Sequence, residues 1–126
     1  YGGIVDEKLR QDGIRVNMSY KKAPTNQSKL IRNPEMKNDM LVSETIFKME
    51  GSSLVKYMKH NYKYDDQKQR TEDESLKWNP TGERWENDLC IRYTYTEKTI
   101  TTEYYKWNKK KKDYVLVPEM TITMDK

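Results

Sequence analysis

The stretch Leu89-Cys90-Ile91-Arg92-Tyr93-Thr94-Tyr95-Thr96-Glu97-Lys98-Thr99-Ile100-Thr101-Thr102-Glu103-Tyr104 decides the fold class. Leu89, Ile91, Tyr93 and Tyr95 alternate with Cys90, Arg92 and Thr94, the period-two pattern of a strand whose successive side chains point to opposite faces. A turn at Glu97-Lys98 sends the chain back as a second strand. With two residues in that turn, Tyr95 faces Ile100, Tyr93 faces Thr102 and Ile91 faces Tyr104, so cross-strand pairs stack on one side. The turn lacks the favoured Asn-Gly chemistry.

Working toward the C-terminus, a loop over residues 108–113 leads to Leu116, Met120, Ile122 and Met124, which alternate on one expected face together with Pro118. Proline cannot donate to a strand ladder, so this third strand of a meander is expected at an edge or bulged near Pro118. Working backward, residues 40–49 and 54–64 flank Glu50-Gly51-Ser52-Ser53, a connection of hairpin length. Pairing Met49 with Leu54 places Thr45 opposite Met58 and Leu41 opposite Tyr62. A helix across 42–60 competes with this reading, but Gly51 and the β-branched residues argue against it. Ile14, Val16, Met18 and Tyr20 give another alternating strand before a turn at Ala23-Pro24-Thr25-Asn26, and residues 4–11 suit a short helix ended by Gly13. The polar run 65–75 reads as an exposed loop or short helix, and no internal repeat appears.

The expected fold is therefore mainly β: an antiparallel barrel or sandwich of about six strands ending in a three-strand meander. The alternative is α+β, one helix on a curved antiparallel sheet. The 126 residues fit one domain. Hydrophobic residues make up 34% against 35% charged, so the core must be thin, and ten Tyr, three Trp and seven Met supply much of its apolar area. That composition suits a sheet with one buried face.

Composition also excludes function classes. His60 is the only histidine, so a multi-histidine metal site is ruled out and a hydrolase would have to use His60 as its base. Cys90 alone allows no internal disulfide, and its place between Leu89 and Ile91 makes it a buried, inert thiol. The acidic residues Asp65, Asp66, Glu72, Asp73 and Glu74 fall in the polar run, without the apolar framing that separates the pKa values of a catalytic pair or the pattern of a calcium loop. No catalytic residue, metal or cofactor is expected, and the chain does not read as an enzyme.

Candidate binding residues are Trp78, Arg84 and Trp85, where two indoles bracket the turn Asn79-Pro80-Thr81-Gly82-Glu83, and Tyr104, Tyr105 and Trp107 beside Tyr114. Tryptophan and arginine are the residue types most often found as hot spots. Lys109, Lys110, Lys111 and Lys112 form a basic hairpin tip suited to phosphate or an anionic surface, and equally to keeping a strand edge unpaired. A closed barrel would turn Tyr93, Tyr95, Tyr104, Met120 and Met124 inward, as a cavity lining or a filled core. The favoured function is a non-catalytic binding domain contacting another macromolecule, with a protein the expected partner. A barrel carrier of a small apolar ligand and a single-stranded nucleic-acid binder are the alternatives. No apolar run is long enough for a transmembrane helix. The opening Tyr1 favours a processed extracellular or periplasmic protein over a cytoplasmic one, and Asn17 and Asn26 lie in glycosylation triplets.

Overall fold

The computed structural model describes residues 29–126. The expected helix over 4–11, the strand over 14–20, the turn at 23–26 and both glycosylation triplets lie outside the described residues. Eight strands follow one another: β1 (Lys29–Lys37), β2 (Met40–Glu50), β3 (Ser53–Tyr64), β4 (Arg70–Asn79), β5 (Arg84–Tyr95), β6 (Thr99–Asn108), β7 (Asp113–Leu116) and β8 (Ile122–Asp125). Each of β1 to β7 pairs antiparallel with the next, and β8 returns to pair with β6. The result is one open antiparallel sheet. The mainly β expectation holds, with eight strands among the described residues where five of the expected six fall; no helix forms over 42–60, and the barrel is not formed because β1 and β7 are opposite edges of the sheet. The interior on which the barrel-carrier reading rested is therefore absent.

The central meander follows the sequence closely: Ile91 faces Tyr104, Tyr93 faces Thr102 and Tyr95 faces Ile100. Thr96 replaces the missing Asn-Gly chemistry. Its backbone N–H donates to the Thr99 carbonyl (2.9 Å), while its Oγ1 accepts the backbone N–H groups of Lys98 (3.2 Å) and Thr99 (2.9 Å). In the β2–β3 hairpin Met49 does face Leu54, across a Gly51-Ser52 turn with Gly51 at φ +64°, the glycine-first arrangement of a type II′ turn. Farther along, a bulge at Ile46/Phe47 sets Ile46, not Thr45, against Met58, and Thr45 against Lys59. Bulges of this kind add one residue to one strand and shift every later pair.

Two expectations are corrected. Residues 70–75 are not a loop but the start of β4, because each of their carboxylates meets a cross-strand partner. Glu72 takes Arg92 (3.2 Å) and Lys63 (3.5 Å), Asp73 takes His60 (2.8 Å), and Glu74 takes the Tyr114 hydroxyl (2.7 Å). At the C-terminus Pro118 breaks the last strand into β7, a 3-10 turn (Pro118–Met120) and β8. Both pieces pair with β6, as expected of an edge strand carrying proline. Between the pairs Tyr105–Leu116 and Thr102–Ile122, three residues of β6 face six of the partner. The three-residue excess is odd, so Leu116 lands on the opposite face from Ile122 and Met124 rather than sharing one face with them.

Alternation through these registers defines two faces. Ile46, Met58, His60, Tyr62, Asp73, Ile91, Tyr93, Tyr95, Ile100, Tyr104 and Met124 share one, the tyrosine face. Cys90, Glu74, Trp78, Trp85, Tyr105, Trp107 and Tyr114 share the other, the tryptophan face. Burial is concentrated at the centre: Ile46 is 3% exposed and Cys90 1%, while Leu54, Ile122 and Met124 are at least half exposed. On the tryptophan face the Tyr114 hydroxyl on β7 reaches Glu74 on β4. Adjacent strands lie about 4.8 Å apart, so the sheet must curl toward this face to bring them together. The contact bridges over Cys90, which lies between them. Removing the hydroxyl in Tyr114→Phe leaves a half-buried carboxylate without its donor and is expected to cost about 1–3 kcal/mol, measured by urea unfolding.

Candidate functional site

The second half of the sheet contains a repeated hairpin. Trp78-Asn79 is followed six residues after the asparagine by Trp85, and Trp107-Asn108 is followed at the same spacing by Tyr114. Both tips fold alike. Asn79 Oδ1 accepts the backbone N–H groups of Thr81 (3.0 Å) and Gly82 (3.1 Å), and Asn108 Oδ1 accepts that of Lys111 (2.9 Å). The fourth loop residue is left-handed in each, Glu83 at φ +52° and Lys112 at φ +54°. Below each tip an aromatic pair closes the strands edge to face: Trp78 with Trp85 at 5.1 Å and 66°, Trp107 with Tyr114 at 5.0 Å and 71°. Such edge-to-face geometry is the one aromatic quadrupoles favour. The loop sequences, Pro-Thr-Gly-Glu and Lys-Lys-Lys-Lys, share nothing, so inspection of the sequence finds no repeat; the surviving signal is Trp-Asn and the aromatic six positions on.

The meander puts both tips at one end of the sheet. Lys109 lies near enough to Glu86 to help hold its carboxyl below the usual range, after the stronger hydrogen bond from Asn79 Nδ2 (2.9 Å). Lys56 of β3 stands over the Trp78 ring at 4.3 Å, a cation–π contact. All three tryptophans thus share one face at one end, with the four lysines of residues 109–112 exposed at its tip. Of the expected binding residues, Trp78, Trp85, Tyr105 and Trp107 come together on this face. Tyr105 lies deeper, under Arg92 (4.5 Å). Arg84 and Tyr104 do not join them: Arg84 pairs with Glu86 (3.3 Å) and Tyr104 belongs to the tyrosine face.

His60 has partners the sequence did not reveal. Its Nδ1 lies 2.8 Å from Asp73 Oδ1 and 3.3 Å from Ser75 Oγ. The three residue types match a hydrolytic triad, but serine and aspartate meet the same ring nitrogen. A triad needs the nucleophile on Nε2 and the carboxylate on Nδ1. Ser75 is also buried, 4% exposed. Cys90 is buried as well, and burial followed by the Glu72 charge pushes its thiol up to about 11, the opposite of what a reactive thiolate requires. No group of three or more metal-ligating side chains occurs among the described residues, and no helix among them is long and apolar enough to cross a membrane.

An antiparallel β-sheet protein with paired aromatic hairpins at one end is the class this geometry defines. The chain belongs to the family of unknown function DUF3836, whose model matches residues 14–125. It is similar to a DUF3836 family protein from Bacteroides vulgatus, with 70% identity, a TM-score of 0.74 and coverage of 76% of this chain and 98% of that one. A DUF3836 family protein from Parabacteroides distasonis shares the fold at 24% identity and a TM-score of 0.68, over 79% of this chain and 91% of that one. A protein of unknown function from Bacteroides fragilis is similar at 28% identity and a TM-score of 0.66, over 72% and 68%. No curated protein matches the chain.

Proposed function

We propose that this chain is a non-catalytic binding module that recognises another macromolecule, a protein in the first instance, through the tryptophan face and its two hairpin tips. The observation that carries this reading is the juxtaposition of two equivalent tips, which sets Trp78, Trp85 and Trp107 on one face beside Lys56 and the lysines of residues 109–112. Each aromatic pair fastens its own hairpin. The meander alone puts both tips at one end, but a fastening role does not require both pairs to share a face. Half-buried indoles bordered by cations are the residue types that dominate recognition energetics. The geometry of His60 and the burial of Ser75 and Cys90 support a non-catalytic role.

A photo-crosslinking residue at position 110 should give discrete adducts in an extract of the source organism, and the same residue at position 97, at the far end of the sheet, should not. Adducts should disappear when the other three lysines of the tip are replaced by glutamate. Equal labelling from positions 97 and 110 would remove this surface from consideration. The lysine tip favours single-stranded nucleic acid as a second reading. In that case an oligonucleotide should bind with a log K that falls against log salt with a slope of about −0.7 per phosphate contacted. A protein partner predicts no oligonucleotide binding.

A further inference from the structure

The indole pair Trp78–Trp85 has cations on both sides. On β3, next to β4, the Lys56 ammonium stands 4.3 Å from the centre of the Trp78 ring. On β6, next to β5, the ladder pairs Leu89 with Lys106. Carried three residues on, that register sets Lys109 beside Glu86, and the Lys109 charge does act on the Glu86 carboxyl. Lys110, Lys111 and Lys112 complete the same tip. Its backbone is fixed, because Asn108 Oδ1 accepts the Lys111 N–H (2.9 Å) and the Asn108 carbonyl accepts the Lys112 N–H (2.8 Å).

Among the described residues, Lys56 and the four lysines of the tip meet no carboxylate within ion-pair distance. The carboxylates flanking the two tips are already engaged: Glu86 by Asn79 Nδ2 (2.9 Å) and Arg84 (3.3 Å), and Asp113 Oδ1 by the Tyr114 backbone N–H (2.8 Å). Glu83, inside the β4–β5 tip, offsets one of the five cations. The positive excess that remains is complemented by a partner of opposite sign.

We propose that the partner of this surface presents an acidic, extended segment in which two carboxylates, at positions i and i+4, bracket an apolar residue. The inference rests on the reading of the tryptophan face as a binding surface and names the chemistry of what it binds. From β3, which carries Lys56, to β6, which leads into the lysine tip, is three strand spacings, about 14 Å. An extended chain rises about 3.4 Å per residue, so side chains at i and i+4 lie about 14 Å apart and point the same way. The side chain at i+2 shares that direction and falls on the indoles between the cations. Nucleic acid fits less well: the indoles cross at 66° with Lys56 over one of them, which leaves no parallel platform for successive bases.

The test titrates the full chain with four probes: the capped peptides Glu-Ser-Ile-Ser-Glu, Gln-Ser-Ile-Ser-Gln and Glu-Glu-Ile-Ser-Ser, and an oligothymidylate. Tryptophan fluorescence reads occupancy, since all three tryptophans of the chain lie at this end. At low salt the first peptide should bind at least about fivefold more tightly than the glutamine peptide, the gain expected of two exposed ion pairs, and the margin should close at high salt. It should also outbind the peptide with adjacent carboxylates, which has the same charge, and Lys56→Gln should weaken it about twofold. No saturable response to the first peptide, equal affinity for either control peptide, or tighter binding of oligothymidylate would each overturn the proposal. Discrete adducts from position 110 together with any of these results would refute the acidic partner while leaving the binding surface standing.

Discussion

Replacing Ile46 by alanine is expected to lower the unfolding free energy by about 2–5 kcal/mol, the range for emptying a well-packed site of a large aliphatic side chain. Among the described residues Ile46 is one of two apolar side chains buried to below a tenth of their surface, with Cys90 the other. It sits on β2 opposite Met58 on one side and Arg32 on the other, at the bulge where the β2–β3 register shifts. A single open sheet has few such positions. Domains of this size are stable by about 5–15 kcal/mol, so this one substitution removes a large share of the total. Ile46→Val should cost only about 0.5–1.5 kcal/mol. Leu54→Ala, at a side chain 52% exposed, should stay within about 0.5 kcal/mol of the wild type. Chemical unfolding of the three variants checks the ordering. A cost below about 1 kcal/mol for Ile46→Ala would mean that the centre of the sheet does not carry the stability.

How far the fold can be read from sequence depends on where the period-two signal is carried. In β5 and β6 apolar side chains alternate cleanly, and the cross-strand pairs follow without error. In β2 and β3 the turn at Gly51 is legible, but the bulge at Ile46/Phe47 has no sequence mark and moves the later pairs by one. β1 is not legible as a strand, because Pro34 interrupts it and its turn uses Asn38 and Asp39, at φ +50° and +62°. Those are residue types that tolerate left-handed backbone. β4 fails for another reason: Glu72, Asp73 and Glu74 are polar on both faces, and only their partners on β3, β5 and β7 make them strand residues.

The candidate site shows the same division. Trp78 and Trp85 are recognisable as a pair from the turn between them. That Trp107 and Tyr114 repeat the arrangement depends on backbone geometry at Glu83 and Lys112, which four lysines in one loop and Pro-Thr-Gly-Glu in the other conceal. Arg70 gives no local signal at all. Its place over the Tyr62 ring exists only once β3 and β4 are adjacent.

Raising the pH above about 9 should unfold this protein steeply, and the buried acids on both faces supply the reason. Burial raises the phenols of Tyr62, Tyr93, Tyr95 and Tyr114 above their ordinary value, helped by Asp73 at Tyr62 and by the hydrogen bond to Glu74 at Tyr114. The Cys90 thiol is raised to about 11 by burial and the Glu72 charge. For an acid, a raised folded-state pKa means that the unfolded chain loses its proton first. Between the unfolded and folded pKa values the unfolded state binds fewer protons, so stability falls as pH rises. The favourable contribution is fully present below about pH 9, and each group that titrates in this way steepens the fall by about 1.4 kcal/mol per pH unit. Urea midpoints measured from pH 7 to 11 should be level up to about pH 9 and then drop. The share of phenolate absorbance lost on replacing Tyr62, Tyr93, Tyr95 and Tyr114 by Phe, in difference from the wild type, should rise together with the loss of β circular dichroism rather than before it. Tyr114→Phe and Cys90→Ala, each compared with its own value at pH 7, should shallow the decline. A midpoint constant up to pH 11, or ionisation of these four phenols while the sheet remains folded, would show that they are not held by the burial that the structure assigns to them.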